Sequence, residues 1–159
     1  MNGRSLKARA LQLLAQRDQS RQELRRKLLT HARRAEASGE DGDGAPVAEV
    51  EALLDWLVAR RFLCDERFVE SRVHAREARF GNLRIRAELA RHAVALSPEM
   101  QRTLAESEIE RARAVRARRF AEPPSGAAEC AAQARFLAGR GFSPDVVRLL
   151  FRQLRQSSH

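Results

Sequence analysis

Arg72, Arg76 and Arg79 recur at i, i+4 and i+7, the spacing that aligns three side chains on one face of a helix. Arg84 and Arg86 follow within the next turn and helix. Near the other end, Arg148, Arg152 and Arg155 repeat the spacing, with Arg140 just ahead of them. A guanidinium stacks on rings, forks bidentately onto phosphate or carboxylate, and keeps its charge at any physiological pH. Stripes of this kind suit contact with an anionic surface, and only Glu70 and Glu77 lie near the first one to neutralise it. These nine arginines are the candidate partner-binding or DNA-binding residues. Arg111, Arg113, Arg116, Arg118 and Arg119 are spread around their helix, so periodicity does not say which side they present.

Catalysis finds no comparable footing. The chain has no G-x-x-x-x-G-K-[ST] loop to cradle a triphosphate, no H-E-x-x-H and no G-x-S-x-G. His31, His74, His92 and His159 stand alone, and His31 and His92 fall near helix ends, where packing or a dipole role is expected. Asp65 and Glu66 open a helix, which they stabilise electrostatically. Glu40, Asp41 and Asp43 lack the twelve-residue spacing and terminal Glu of a calcium loop. Cys64 and Cys130 are far apart in apolar surroundings and read as small buried hydrophobes. A non-enzymatic protein with no metal and no cofactor is expected.

The charge balance supports a binding role. Thirty Lys and Arg against 21 Asp and Glu give a net charge of +9, and Lys7 and Lys27 are the only lysines. A GC-rich genome produces the same preference for Arg, so the distribution is more telling. Residues 111 to 159 carry ten Arg against Glu122, Glu129 and Asp145, whereas residues 51 to 110 hold ten basic and eleven acidic side chains. Such asymmetry points to nucleic acid or an acidic protein face. No apolar run approaches membrane-spanning length, and the N-terminal stretch lacks the apolar centre and cleavage site of a signal peptide, so a cytoplasmic protein is expected.

The elements that must position these residues are helical throughout. Leu6, Ala10, Leu13 and Leu14, then Val50, Leu53, Leu54 and Leu57, then Val147, Leu150, Phe151 and Leu154 keep helical spacing, and no segment alternates as a strand does. Ser20 to Glu23 has capping-box spacing, and Ser97-Pro98 and Ser143-Pro144 each place an N-cap before a first-turn proline. ASGEDGDGAP, residues 37 to 46, reads as a flexible acidic loop, and EPPSG at 122 to 126 as a second break. The fragments RRKLLTHA (25 to 32), RAELARHA (86 to 93) and ARFLAGRG (134 to 141) place Leu28, Leu89 and Leu137 alike, at intervals of 61 and 48 residues. That repetition predicts an all-α fold of three tandem three-helix repeats forming an elongated, curved rod: 1–62, including the loop, 63–108 and 106–159. The expected helices are 5–17, 21–35 and 46–61, then 65–79, 82–93 and 98–108, then 106–120, 126–139 and 144–155.

RFLAGRGFSPDVVRLLF, residues 135 to 151, resembles the C-terminal signature of the RecX family, bacterial regulators of the RecA recombinase. ALQLLAQRDQSRQELRRKL, LLDWLVARRFLCDERFVESRV and RFGNLRIRAELARHAV resemble further family segments in the family's order, so the likeness spans residues 6 to 154. Two departures fall at turns: RHAVALSP lacks the compact glycine break, and the first unit carries the acidic insertion. The resemblance implies a regulator that binds RecA and its nucleoprotein filament, inhibits filament extension, ATP hydrolysis, strand exchange and coprotease activity in DNA repair and the SOS response, and touches DNA as a salt-sensitive accessory contact. A monomer is expected. The alternative is a helix-turn-helix protein acting on DNA directly through residues 135 to 151, although only Gln153 and Gln156 on the last helix suit base recognition. In the favoured reading that stretch is a packing corner: Phe142 plugs the angle between two helices, and Gly139 and Gly141 bracket the helix end.

Overall fold

A computed structural model of the chain describes residues 5–39 and 46–158. Among the described residues there are eight helices and no strand: α1 (Leu6–Gln16), α2 (Arg21–Ala37), α3 (Pro46–Ala59), α4 (Asp65–Arg76), α5 (Asn82–Arg91), α6 (Pro98–Arg119), α7 (Ala127–Gly139) and α8 (Pro144–Gln156). The all-α, three-helix texture expected of the sequence is present. Most of the acidic loop, including Glu40, Asp41 and Asp43, lies outside the described residues, as does His159.

Capping decides where the helices start. Ser20, Ser97 and Ser143 each accept from the backbone N–H three residues on, at 3.1, 3.2 and 3.3 Å. The capping box at Ser20 closes on one side only, because the Glu23 carboxylate goes to Arg17 and to Lys27 Nζ, 3.1 Å away, instead of back to the cap. Nine expected helices become eight because 98–108 and 106–120 are one continuous helix, α6. No proline or glycine lies between Pro98 and Arg119 to interrupt it.

The helix ends show where the repeat is regular. Gly39, Ala93 and Gly141 adopt left-handed φ values of 74°, 54° and 86° just past α2, α5 and α7. They follow Leu28, Leu89 and Leu137 by eleven, four and four residues. The extra length of the first repeat is therefore partly two further turns of α2, which ends at Ala37, two residues beyond the expected 21–35 and one residue into the expected loop. At RHAVALSP the missing glycine is replaced by Ala93 in the same backbone conformation.

Two compact units emerge, Met1–Ser71 with His92–Val94, and Arg72–Arg91 with Ala95–His159. In the first, Ala10, Leu13, Leu24, Leu28, Leu29, Val50, Leu54, Leu57 and Leu63 form the core of α1, α2 and α3. In the second, Ala112, Val115, Leu137, Phe142, Val147, Leu150 and Phe151 gather α6, α7 and α8. Phe142, 1% exposed, is the plug expected at the α7–α8 corner. Cys64 and Cys130 are free thiols, half-buried instead of buried.

The α7–α8 corner does more than turn the chain. Gly141 N–H donates to Ala138 O at 3.0 Å and Phe142 N–H to Leu137 O at 3.2 Å, the paired bonds of a glycine-ended helix. The corner's carbonyls then serve α5, whose first turn has no hydroxyl cap. Gly81 N–H donates to Arg140 O at 2.9 Å, and Leu83 N–H to Gly141 O at 3.0 Å. Asn82 N–H donates to Glu108 Oε1 of α6 at 3.1 Å, so the open donors of this helix end are met by distant groups. The approach leaves no room for side chains: a Cβ on Gly81 would stand 2.3 Å from Gly141 O, and one on Gly141 2.3 Å from Arg84 Cβ. Gly139, with nothing near it, is not part of this corner.

Two outcomes follow for stability. Gly81→Ala and Gly141→Ala should each lower the unfolding free energy by about 2 kcal/mol or more in urea titrations, whereas Gly139→Ala should be neutral or slightly stabilising. In the first unit, burial opposes ionisation of Glu23, but Arg17 and Lys27 outweigh it and hold the carboxyl down from 4.5 to about 2. Because the folded value is the lower one, this stabilisation is present above about pH 4.5 and is lost as pH falls towards 2. Thermal melts of Glu23→Gln should lie below wild type at pH 7 and converge with it at pH 2.

Candidate functional site

Between α4 and α5 the chain reads EARFG, and its tight exit from α4 is set by Arg79 N–H and Phe80 N–H, both donating to Arg76 O at 3.0 Å. The Phe80 ring turns inward and is 9% exposed. Around it stand three guanidiniums from three segments: Arg84 with its Cζ 4.2 Å from the ring centroid, Arg140 at 5.5 Å and Arg79 at 5.6 Å. Arg140 also lies 5.3 Å from the Phe136 ring. The ring quadrupole attracts each cation without consuming its N–H donors. None of the three forms an ion pair among the described residues. The Gly81–Gly141 crossing is what brings residues 79 to 84 beside residue 140.

Beneath this cluster, Arg111 of α6 secures the same turn from inside. It donates to Phe80 O at 2.8 Å, Glu77 O at 3.2 Å, Leu104 O at 3.1 Å and the Ser107 hydroxyl at 3.0 Å, and it also bonds the Asn82 side chain. Burial pushes its pKa down, opposed by the charges of Glu108 and Glu77. Arg116 is likewise interior, 5% exposed, donating to Gln133 Oε1 at 2.8 Å and Glu122 O at 2.5 Å. Arg118 reaches the Ala78 carbonyl, and Arg113 holds Gln153 at 2.5 Å and Glu110 at 3.3 Å. The helix whose arginines periodicity left unassigned thus spends most of them on its own fold.

The expected Arg72, Arg76 and Arg79 stripe divides. Arg72 and Arg76 meet Glu88 of α5 at 3.2 and 3.0 Å and brace α4 against α5, while Arg79 stays in the cluster. Glu70 and Glu77, the acids adjacent in sequence, are not the ones that neutralise this stripe. Arg86 is exposed on α5. On α8, Arg148 pairs with Asp145, both largely exposed, a contact of little energetic weight. Arg152 and Arg155 line an open groove floored by Cys130, Ala131, Ala134, Val147 and Phe151. Among the described residues no three His, Cys, Asp or Glu side chains are placed to hold a metal ion, and no helix is long and apolar enough to cross a membrane.

Comparison with known proteins adds to this geometry. Residues 106–150 match the model of the RecX third three-helix domain, the segment spanning the end of α6, α7 and α8. The regulatory protein RecX of Leptothrix cholodnii is 49% identical over 153 residues, covering 93% of this chain and 88% of the relative. This chain belongs to the RecX family. RecX of Ralstonia nicotianae is 48% identical over 146 residues, covering 90% and 84% of the two chains, and RecX of Herbaspirillum seropedicae 46% over 149, covering 92% and 89%. A crystal structure of RecX from Lactobacillus salivarius superposes with a TM-score of 0.70 over 95% of both chains at 16% identity, a likeness of fold. The RecX relatives are named regulatory proteins, so a regulatory role is the functional class of this RecX-family chain.

Sequence reasoning found Arg79, Arg84 and Arg140 but not that they converge, and it missed Arg111, Asn82 and Glu108. Its one available signal was Gly81 ahead of a helix that lacks a Ser, Thr or Asp cap. Urea unfolding should rank the arginines accordingly. Arg111→Ala should cost about 3 kcal/mol or more, since several buried acceptors lose their donor, and Arg76→Ala about 1–2 kcal/mol. Arg79→Ala, Arg84→Ala and Arg140→Ala should each cost under about 1 kcal/mol.

Proposed function

We propose that this protein regulates the RecA recombinase, binding RecA and its DNA filaments and inhibiting filament extension, ATP hydrolysis, strand exchange and coprotease activity during DNA repair and the SOS response in the cytoplasm. The observation that carries this reading is identity of nearly one half, over nine-tenths of the chain, with proteins named regulatory protein RecX. The arginine cluster supports it physically. Arg79, Arg84 and Arg140, with Arg86 on α5 and Arg152 and Arg155 on α8, are cationic groups with N–H donors to offer a phosphate backbone or an acidic protein face. Arg72, Arg76 and Arg148 bring to such a contact a charge already partly offset by Glu88 or Asp145. Several weak contacts held on one scaffold reinforce one another through effective concentration.

Direct base reading by the α7–α8 pair draws less support. Gln153, one of the two amides on α8, is held by Arg113, and the corner between the helices is filled by Gly81 and Phe142. DNA contact in this reading is therefore through phosphate. With about five phosphates neutralised, log affinity should fall with log salt at a slope of roughly −4 to −5.

The decisive measurement is DNA-dependent ATP hydrolysis by RecA. Wild type should inhibit it at amounts well below one per recombinase protomer, and the triple change of Arg79, Arg84 and Arg140 to Ala should raise the amount needed by about tenfold while lowering the melting temperature by less than about 10 °C. Inhibition only at stoichiometric amounts, and only as far as DNA is titrated away, would overturn this reading.

A further inference from the structure

In the first unit the corner after α3 carries an aromatic and basic arrangement that the RecA reading leaves unused. Phe62 is 47% exposed, the one exposed aromatic side chain among the described residues. It is not a loose side chain on a loop. The corner is closed by Arg61 N–H to Val58 O at 3.0 Å and Phe62 N–H to Leu57 O at 3.0 Å. Arg61 adopts φ 60°, a left-handed conformation that costs a non-glycine residue roughly 1–2 kcal/mol. Arg67 pays that cost back in part, its two terminal nitrogens each donating to Arg61 O at 3.0 Å and one of them also to Phe62 O at 3.3 Å. A strained corner pinned by a guanidinium therefore holds a phenyl ring out towards solvent.

Behind that ring lies a second one. Trp56 stacks on Phe62 with centroids 5.9 Å apart and planes inclined by 26°. The indole is in turn covered by cations, Lys7 Nζ at 4.0 Å and Arg60 Cζ at 5.3 Å from its centroid. With Trp56 occupied by Lys7, Arg60 and Phe62, the exposed member of the group is Phe62. An apolar docking patch for a protein keeps charge out of its centre. Here the cations lie on the indole that stacks on Phe62, the combination of π surface and positive charge that binds single-stranded nucleic acid.

We propose that the Arg60–Phe62 corner is a stacking site for one unpaired nucleobase of a single-stranded nucleic acid, with Phe62 as the platform and Arg60, Arg61 and Lys7 drawing in the adjoining phosphates. In a duplex the base faces are already stacked on one another, so the site discriminates single strands from double strands without reading sequence. This rests on the DNA contact of the RecA reading but adds base recognition to it, and its test contains no recombinase, so the two fail separately.

The test compares two labelled 15-nucleotide probes of equal charge, oligothymidylate and an abasic phosphodiester backbone, by fluorescence anisotropy with the full chain at fixed salt. Wild type should prefer the thymidylate by about 5-fold or more, the lower bound expected for one stacked base. Trp56, the sole tryptophan, should be quenched by the thymidylate alone. Phe62→Ala and Phe62→Leu should lose the preference while still binding the abasic backbone as wild type does, and Phe62→Tyr should keep it; circular dichroism melts establish that each variant is folded. Equal binding of the two probes by wild type, or a preference that survives in Phe62→Leu, would overturn the proposal. So would a Phe62→Ala protein that keeps its thymidylate preference, which would place the base contact elsewhere.

Discussion

The second unit depends on a backbone-to-backbone approach between Gly81 and Gly141. A helix end presents N–H groups that must be bonded, and α5 has no hydroxyl side chain to serve them. Carbonyls of the α7–α8 corner and a buried carboxylate of α6 do so instead, and this is possible only because neither glycine carries a Cβ. Arg111 seals the arrangement by binding the Glu77 and Phe80 carbonyls ahead of Gly81 and the Asn82 side chain after it. The gathering of Arg79, Arg84 and Arg140 around Phe80 is a direct consequence of that crossing.

Arginine consequently has two separate duties in this protein. Arg111, Arg116 and Arg118 bond backbone carbonyls, and Arg72 and Arg76 bond Glu88, so their donors are committed to the fold. Arg79, Arg84 and Arg140 lie against aromatic rings, which stabilise a cation while leaving its N–H groups available to a ligand. The excess positive charge of the C-terminal third is therefore an unreliable map of the contact surface. Four of α6's six arginines, Arg111, Arg113, Arg116 and Arg118, are consumed internally, whereas Arg79, Arg84 and Arg140 lie against phenyl rings.

The same division marks what could be read in advance. Serine caps at Ser20, Ser97 and Ser143, the Phe142 plug and the shared positions of Leu28, Leu89 and Leu137 were all legible, because each is a matter of neighbours within a turn or two. The merging of two expected helices into α6 was hidden by the repeat itself, whose period implied a boundary where the local sequence contains no breaker. The end of α2 fell two residues beyond the expected one, since alanines and arginines ahead of the glycines suit a helix end and a helix interior equally.

By itself the sequence determined the all-α class, the order of the helices and the list of cationic residues, because periodicity, capping and composition are local properties that need no partner to be recognised. Only the tertiary structure decided which of those cations are committed to partners within the fold. The groups that make the difference, Glu88 for Arg76 and the Glu77 and Phe80 carbonyls for Arg111, stand 12, 34 and 31 residues away in the chain. A guanidinium's role is set by what the fold places against it, and at those separations nothing in the local sequence records the meeting.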